Sequence, residues 1–274
     1  MSPTVWRYPF VFLLLGAILG VASLAQAAAG LLGDNDGVNS HPHNLSSSST
    51  ATIHSNVEDR ICVFCHAPHG TSTSGALWNR NDPIGPNGDG TFPLYANAEP
   101  GLVANADADY GTGTYPNGST RLCLSCHDGV TAIAEVINGG DLDPALGTLT
   151  SEGSSMIIDL SAAHPVSFVF TQAIADAIYN DSPDVIKPNF DLTNMLPDLL
   201  DAEGRLQCAS CHDPHTDTYD VDQGGAYDLP MWRHYTGAGN QVADYNATCE
   251  SCHTTNGWTP AVMDHSSITS RCAT

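Results

Sequence analysis

The sequence predicts a fold of mostly irregular coil with short α-helices and little β-structure, and three observations indicate it. The 274 residues include 25 Gly and 17 Pro, many of them in polar loop-like stretches. Long helical or strand periodicities are rare along the chain. The five-residue pattern Cys-x-x-Cys-His occurs four times. A chain of this kind is better suited to wrapping bound groups than to building wide helical or sheet layers.

The repeated pattern lies at Cys62–His66, Cys123–His127, Cys208–His212 and Cys249–His253, which we call sockets one to four. Cysteines three residues apart lie on one face of a helical turn, so both thiols can add to the vinyl groups of one porphyrin. The histidine that follows can then bind the iron. This pattern is typical of covalently attached c-type haem. The predicted fold class is therefore a multihaem cytochrome c, wrapped around a chain of four haem c groups.

The sockets assign two sets of cofactor-binding residues. The predicted thioether residues are Cys62, Cys65, Cys123, Cys126, Cys208, Cys211, Cys249 and Cys252. The predicted proximal ligands of the haem irons are His66, His127, His212 and His253. Zinc sites and disulfide frameworks also use paired cysteines. Neither needs a histidine directly after the second cysteine in all four copies.

The N-terminus has the features of an export signal. Arg7 precedes the apolar run Phe10–Leu24, and Ala25-Gln26-Ala27 has the small-x-small form of a cleavage site. We expect residues 1–27 to be a signal peptide. An uncleaved membrane anchor is the alternative, because the apolar stretch is nearly long enough to span a bilayer. Export fits c-type haem, so the mature protein is expected outside the cell or at its surface, without a membrane span.

The mature chain divides into an extended N-terminal arm, residues 28–60, and a tetrahaem domain, residues 61–274. The arm is rich in Gly, Asn and Ser and has no helical or strand period. It carries His41, His43 and His54, of which at least one is expected to bind iron.

The charge of the chain is −22, from 30 acidic and 8 basic residues. Nucleic-acid binding needs clustered cations, so this class of partner is excluded. The aspartates, which include Asp107 and Asp109, are expected to form a solvated acidic surface, and carboxylate-bound divalent cations are the alternative.

Sockets one and three are longer than the other two. They continue to His69 and His215, three residues beyond the proximal histidine, which suggests a duplicated two-haem unit at 61–150 and 200–274. A histidine in this position lies on the same side of the haem as the proximal ligand. We therefore expect His69 and His215 to bind the iron of a neighbouring haem. A histidine that only supports a ligand, or is exposed, is the alternative.

Other histidines complete the set of candidates. His164 precedes a proline in an apolar stretch, so we expect a distal iron ligand over a buried structural histidine. Residues Thr171–Tyr179, which follow, predict a short helix. His234 and His265 are weaker candidates for iron ligands.

The number of histidines favours electron transfer over catalysis. The 12 histidines are enough for four proximal and four distal ligands, so no haem is forced to keep an open site. Lys187, the single lysine, does not follow a Cys-x-x-Cys unit, so the lysine-bound catalytic haem of multihaem nitrite reductases is absent. Cys272 belongs to no socket and is either a free thiol or paired with another chain.

The order of the motifs resembles the OmcE-type tetrahaem cytochromes over about residues 39–253. The matching segments are His43–Ser46, Cys62–His69, Leu77–Arg80, Leu122–Gly129, His164–Phe168 and Cys208–His215. The resemblance implies a cytochrome that polymerises into an extracellular filament with a continuous chain of haems. It also implies bis-histidine iron throughout, with one distal ligand supplied by the neighbouring subunit.

By motif, the resemblance assigns the distal ligands to His43, His69, His164 and His215. His43 is the candidate for the ligand donated to the neighbouring subunit, although His41 stands two residues before it. The expected partners are further copies of this chain and redox proteins or extracellular electron acceptors. A monomeric extracytoplasmic electron shuttle is the first alternative, and a multihaem redox enzyme is the second.

Overall fold

The structure is a computed structural model, which describes residues 41–72, 75–90, 92, 116–140, 142–149, 160, 164–183, 185–216, 231–234 and 246–254. The predicted signal peptide, arm residues 28–40, Asp107, Asp109, His265 and Cys272 lie outside the described residues. Among the helices within these ranges, none is long and apolar enough to cross a membrane.

The described residues contain little regular structure. Helix α1 spans Gly118–His127 and helix α2 spans Gln172–Asp181. Strands β1 (Phe168–Val169) and β2 (Arg205–Leu206) pair antiparallel, with Phe168 opposite Leu206. Short 3₁₀ turns occur at Cys62–Phe64, Pro144–Leu146, Leu192–Asn194 and Cys208–Ser210. Few helices and little sheet are what the sequence predicts, while the multihaem fold itself stays a prediction.

The structure confirms the helix predicted after His164. The Thr171 hydroxyl caps α2 by accepting the backbone N–H of Ile174 at 3.3 Å. Ile174, Ala175 and Ile178 recur at helical spacing and are buried. They pack in one apolar cluster with Phe168, Phe170, Ile186 and Phe190. Burial of these side chains fixes α2 against the small sheet.

The described part of the predicted arm doubles back on itself. The backbone N–H of Ser55 donates to the carbonyl of Leu45 at 2.8 Å. Asp143 then accepts the Ser55 hydroxyl at 3.0 Å and the Asn56 N–H at 3.1 Å. Leu45 is buried in a second apolar cluster, beside Phe64 of socket one. Residues 41–60 therefore lie folded against the segment 142–149.

Candidate haem sites

Each socket folds as a helical turn. The histidine N–H donates to the carbonyl of the first cysteine in sockets one, three and four, at 2.8, 3.0 and 2.9 Å respectively. Socket two lies inside α1. This turn brings both cysteines and the histidine to one face. All eight socket cysteines are free thiols, so both thiols of each socket remain available for thioether bonds.

Three of the predicted proximal histidines each lie beside one predicted distal histidine. The ring centres of His66 and His215 are 6.1 Å apart. Those of His127 and His43 are 6.0 Å apart. Those of His253 and His164 are 6.2 Å apart. The structure thus brings together six of the eight predicted iron ligands in three pairs.

These distances fit a metal ion between the rings. An imidazole–metal bond is about 2 Å long, and the ring centre lies about 1 Å behind the bonding nitrogen, so two axial histidines hold their ring centres about 6 Å apart. Ordinary aromatic pairs also fall in this range. The recurrence distinguishes the two cases, because each pair joins a socket histidine to a histidine from outside the sockets. Two imidazoles with four porphyrin nitrogens complete a six-coordinate iron.

His43, and not His41, faces the proximal histidine of socket two. The His41 ring lies 6.0 Å from the His43 ring, and its Nδ1 accepts the backbone N–H of His43 at 3.0 Å. His41 is fully buried in this position. His41 therefore supports the segment that carries His43, and His43 meets His127 of its own chain.

The other candidate histidines have different surroundings. His69 is exposed, and its backbone carbonyl accepts the side-chain amide of Asn138 at 3.0 Å. The Nδ1 of His54 lies 2.6 Å from the carbonyl of Ala51. The Nε2 of His234 lies 3.2 Å from the carbonyl of Ser210, in socket three. The predicted iron ligation by His69 stays a prediction.

Three of the paired histidines, His43, His66 and His253, have lowered pKa values, which favours the neutral form that binds iron. Burial lowers the pKa of His43 to about 3, and repulsion from His127 and His41 adds to the effect. Desolvation also lowers the pKa values of His253 and His66. At His66, repulsion from His215 lowers the pKa further. The Nδ1 of His253 donates to the carbonyl of Val185 at 2.6 Å, which leaves its Nε2 for a metal.

A buried or half-buried tryptophan packs against the proximal histidine of each long socket. Trp78 meets His66 edge-on at 5.6 Å, and Trp232 meets His212 edge-on at 5.9 Å. In both cases the residue before the tryptophan, Leu77 or Met231, has a positive φ, of 58° and 64°. Two non-glycine residues in this uncommon conformation at equivalent places indicate the same local structure.

The two long sockets also share their next contacts. The side chain after each tryptophan donates to the carbonyl of the second socket residue, from Asn79 to Val63 and from Arg233 to Ala209. The side chain after that contacts the carbonyl of the third socket residue. Arg80 does so at Phe64 and His234 at Ser210. This shared frame supports the proposed duplication, although the full two-haem unit stays a prediction.

Consecutive sockets meet through their cysteines. Burial raises the pKa of Cys65 to about 12, and Cys126 of socket two contributes to this rise. The thiol of Cys123 donates a hydrogen bond to Cys208 of socket three, which raises the pKa of Cys123. Burial raises the pKa of Cys211 to about 12, with a contribution from Cys249 of socket four. Cysteines of consecutive sockets therefore lie near one another.

Sockets two and three are joined by a buried polar contact. The Thr120 hydroxyl donates to the Gln207 side-chain carbonyl at 2.6 Å and accepts the backbone N–H of Cys208 at 3.1 Å. Gly118, at the start of α1, has a φ of +53°, and a Cβ there would collide with the Gln207 amide. Close approach of α1 to socket three thus requires glycine at this position.

Sequence reasoning missed the residues that join the sockets. Trp78 and Trp232 left a signal, because a tryptophan follows both long sockets. Arg80 stands in the Leu77–Arg80 segment, to which the sequence assigned no role. Thr120 and Gln207 gave no such signal, since polar residues are usually exposed.

The comparison with known proteins does not assign a family. No protein-family model and no curated protein matches the chain. Within the described ranges, no group of three or more His, Cys, Asp or Glu side chains could hold a metal ion. The candidate function therefore rests on the sockets and on the histidine pairs.

Proposed function

We propose that the protein is an exported tetrahaem c-type cytochrome that carries electrons over long distances and polymerises into a conductive extracellular filament. The observation that carries this proposal is the three histidine pairs. Each pair joins a Cys-x-x-Cys-His histidine to a second histidine at 6.0 to 6.2 Å, the spacing that a bis-histidine iron requires.

The histidine pairs favour electron transfer over catalysis. Haem iron supplies one-electron redox chemistry when it is bound. Were haem bound, the two histidines of a pair would hold its iron and leave it no open position for a substrate. The carbonyl of Val185 fixes the His253 ring in one orientation, which would keep reorganisation on electron transfer small.

The junctions between sockets support transfer along the whole chain. Cysteines of consecutive sockets lie close together from socket one to socket four. The histidine pair His66–His215 adds a link between sockets one and three. This proximity of the sockets supports the transfer from one site to the next that the proposed function requires.

The surroundings of two histidines support polymerisation through His69. The His43 ring faces His127 of its own chain, so it is poorly placed to reach another subunit. His69 is exposed, three residues after His66. We therefore favour His69, in place of His43, as the histidine that reaches the iron of a neighbouring subunit.

The test is production of the full chain in a host that attaches c-type haem. The mass of the purified protein should show four haems, its electron paramagnetic resonance spectrum should show low-spin iron, and electron microscopy should show filaments. The variant His69→Ala should keep four haems and lose the filaments. The control His54→Ala should keep both, because the His54 ring is engaged with the nearby Ala51 carbonyl.

The other outcomes separate the alternatives. Four low-spin haems in a protein that stays monomeric at high concentration would indicate the soluble shuttle. One high-spin haem in the wild-type protein that binds carbon monoxide would indicate a redox enzyme. A chain that matures without haem would overturn the proposal as a whole.

A further inference from the structure

We propose that the buried positive charge of Arg80 raises the reduction potentials of the haems in sockets one and two. This inference rests on the proposed function, because it requires haem at both sockets. Arg80 acts through its charge and position and does not bind iron.

Arg80 lies between the first two sockets. Its side chain is only 1% exposed, the largest side chain among the fully buried residues. The guanidinium donates to the carbonyl of Phe64 in socket one at 3.5 Å and to that of Ser125 in socket two at 3.1 Å. Two further bonds, both of 2.7 Å, go to the carbonyls of Ala132 and Ile133. One buried charge is thus fixed against both sites.

The charge of Arg80 is balanced by carbonyl oxygens and not by a carboxylate. Arg60, Arg121 and Arg205 each form an ion pair with an aspartate or glutamate. Among the described residues, no carboxylate forms an ion pair with Arg80, and its donors are taken up by four backbone carbonyls. Carbonyl dipoles solvate the cation but leave its net charge in place.

A fixed cation near a haem favours the reduced state. Reduction removes one unit of positive charge from the iron centre, so repulsion from Arg80 is weaker after reduction than before it. This repulsion is strong in the protein interior, where the effective dielectric constant is lower than in water. Charge and burial near a haem are among the means by which a protein sets its potential.

The effect should be larger at socket one than at socket two. Asp128, directly after His127, is a fully buried carboxylate. Backbone N–H groups of Gly85, Val130 and Thr131 and the Thr131 hydroxyl donate hydrogen bonds to it and hold it in place. Its negative charge opposes that of Arg80 at socket two. The haem held by His66 lacks such a neighbouring carboxylate in its own socket.

The test is a potentiometric titration of the four-haem protein and its Arg80 variants. Arg80→Met removes the charge, Arg80→Gln removes the charge but keeps a donor, and Arg80→Lys keeps the charge. In both neutral variants, one or two of the four reduction potentials should shift to lower values. In Arg80→Lys the same potentials should shift less. Arg121→Met is the matched control, since Arg121 also lies near these sockets but is 20% exposed and paired with Asp82.

The potentials and the haem content test the role of Arg80 and the proposed function separately. Four haems with unchanged potentials in Arg80→Met and Arg80→Gln would overturn the role of Arg80 and leave the proposed function intact. A wild-type protein without four haems would overturn the proposed function first.

If neither neutral variant takes up four haems, the order in which the haems of the wild-type protein are reduced tests the role of Arg80. Paramagnetic nuclear magnetic resonance can assign that order to individual haems. The haem at His66 should then be reduced before the haem at His253, because Lys187, a cation that contacts socket four, is only partly buried. The reverse order would overturn the inference.

Discussion

The ring of His215 lies 6.1 Å from the ring of His66 and nearly parallel to it, at 19°, although His215 lies far from socket one in the sequence. His215 follows socket three, whereas His66 completes socket one. A histidine three residues after one proximal histidine thus faces the proximal histidine of another socket. The His66–His215 contact therefore joins sockets one and three in space.

Removal of His215 should open the iron site at His66. His215→Ala is expected to convert about one haem in four to high-spin iron that binds carbon monoxide, because the site loses one of its two axial ligands. Electron paramagnetic resonance and carbon monoxide difference spectra measure this change. His54→Ala serves as the control and should leave all four haems low-spin. A fully low-spin His215→Ala protein would contradict the pairing.

His41 and His43 should behave differently on substitution. His43→Ala is expected to give one high-spin haem, at His127, because the His43 ring faces that histidine. His41→Ala should keep four low-spin haems but lower the melting temperature, since His41 is buried and accepts a backbone hydrogen bond. Visible spectra and thermal melts of both variants measure the two effects. Exchanged outcomes would assign the iron to His41.

Loss of the Thr120 hydroxyl should weaken the junction of sockets two and three. Thr120→Val leaves the Cys208 N–H without its partner and leaves the Gln207 carbonyl with only the longer bond from the residue 120 backbone N–H, at 3.3 Å. A buried unsatisfied polar group costs about 1–3 kcal/mol. The free energy of unfolding in denaturant should fall by about this amount.

Ser119 offers a matched control for the Thr120 variant. Its hydroxyl is buried without a hydrogen-bond partner in the described part of the chain. Ser119→Ala should therefore be close to neutral in the same denaturant titration. An equal loss in the two variants would mean that the junction does not depend on the Thr120 contacts.

Asp143 should hold the arm in a pH-dependent way. Hydrogen bonds from the N–H groups of Ala145 and Asn56 and from the Ser55 hydroxyl lower the pKa of Asp143. Because the folded-state pKa is depressed, the carboxylate contributes stability above its ordinary pKa of about 3.9. That contribution is lost as the pH falls further, through the folded-state value.

Asp143→Asn should accordingly lower the melting temperature at neutral pH, and the difference from wild type should shrink below about pH 4. The spectrum of the haem at His127 should change as well, since the arm carries His43. Asp191→Asn is the control, because Asp191 binds only Thr193 and Asn194 nearby. A pH-independent difference would argue against the role of the carboxylate.

The sequence predicts the sockets and one helix because those signals are local. Cys-x-x-Cys-His needs five residues, and the cap of α2 needs only Thr171 and Ile174. The pairing of His66 with His215 depends instead on how more than a hundred intervening residues fold. Pattern alone cannot reveal that path, so the choice between His41 and His43 stayed open.

Arg80 shows a second limit of sequence reasoning. Arginine is almost never fully buried unless it is paired, so a solvated surface position is the ordinary expectation. Here four backbone carbonyls from three separate segments converge on one guanidinium. Only the folded backbone creates that arrangement, and the spacing of residues in the sequence does not predict it.

The separation of the paired histidines also sets an order of assembly for the proposed exported cytochrome. A chain that crosses a membrane with its N-terminus first delivers His43 before His127, so the second site has both ligands as soon as its socket emerges. On the same proposal, the first site would gain its second histidine only when His215 follows. A haem attached early at that site would until then have one histidine ligand and be open to other ligands.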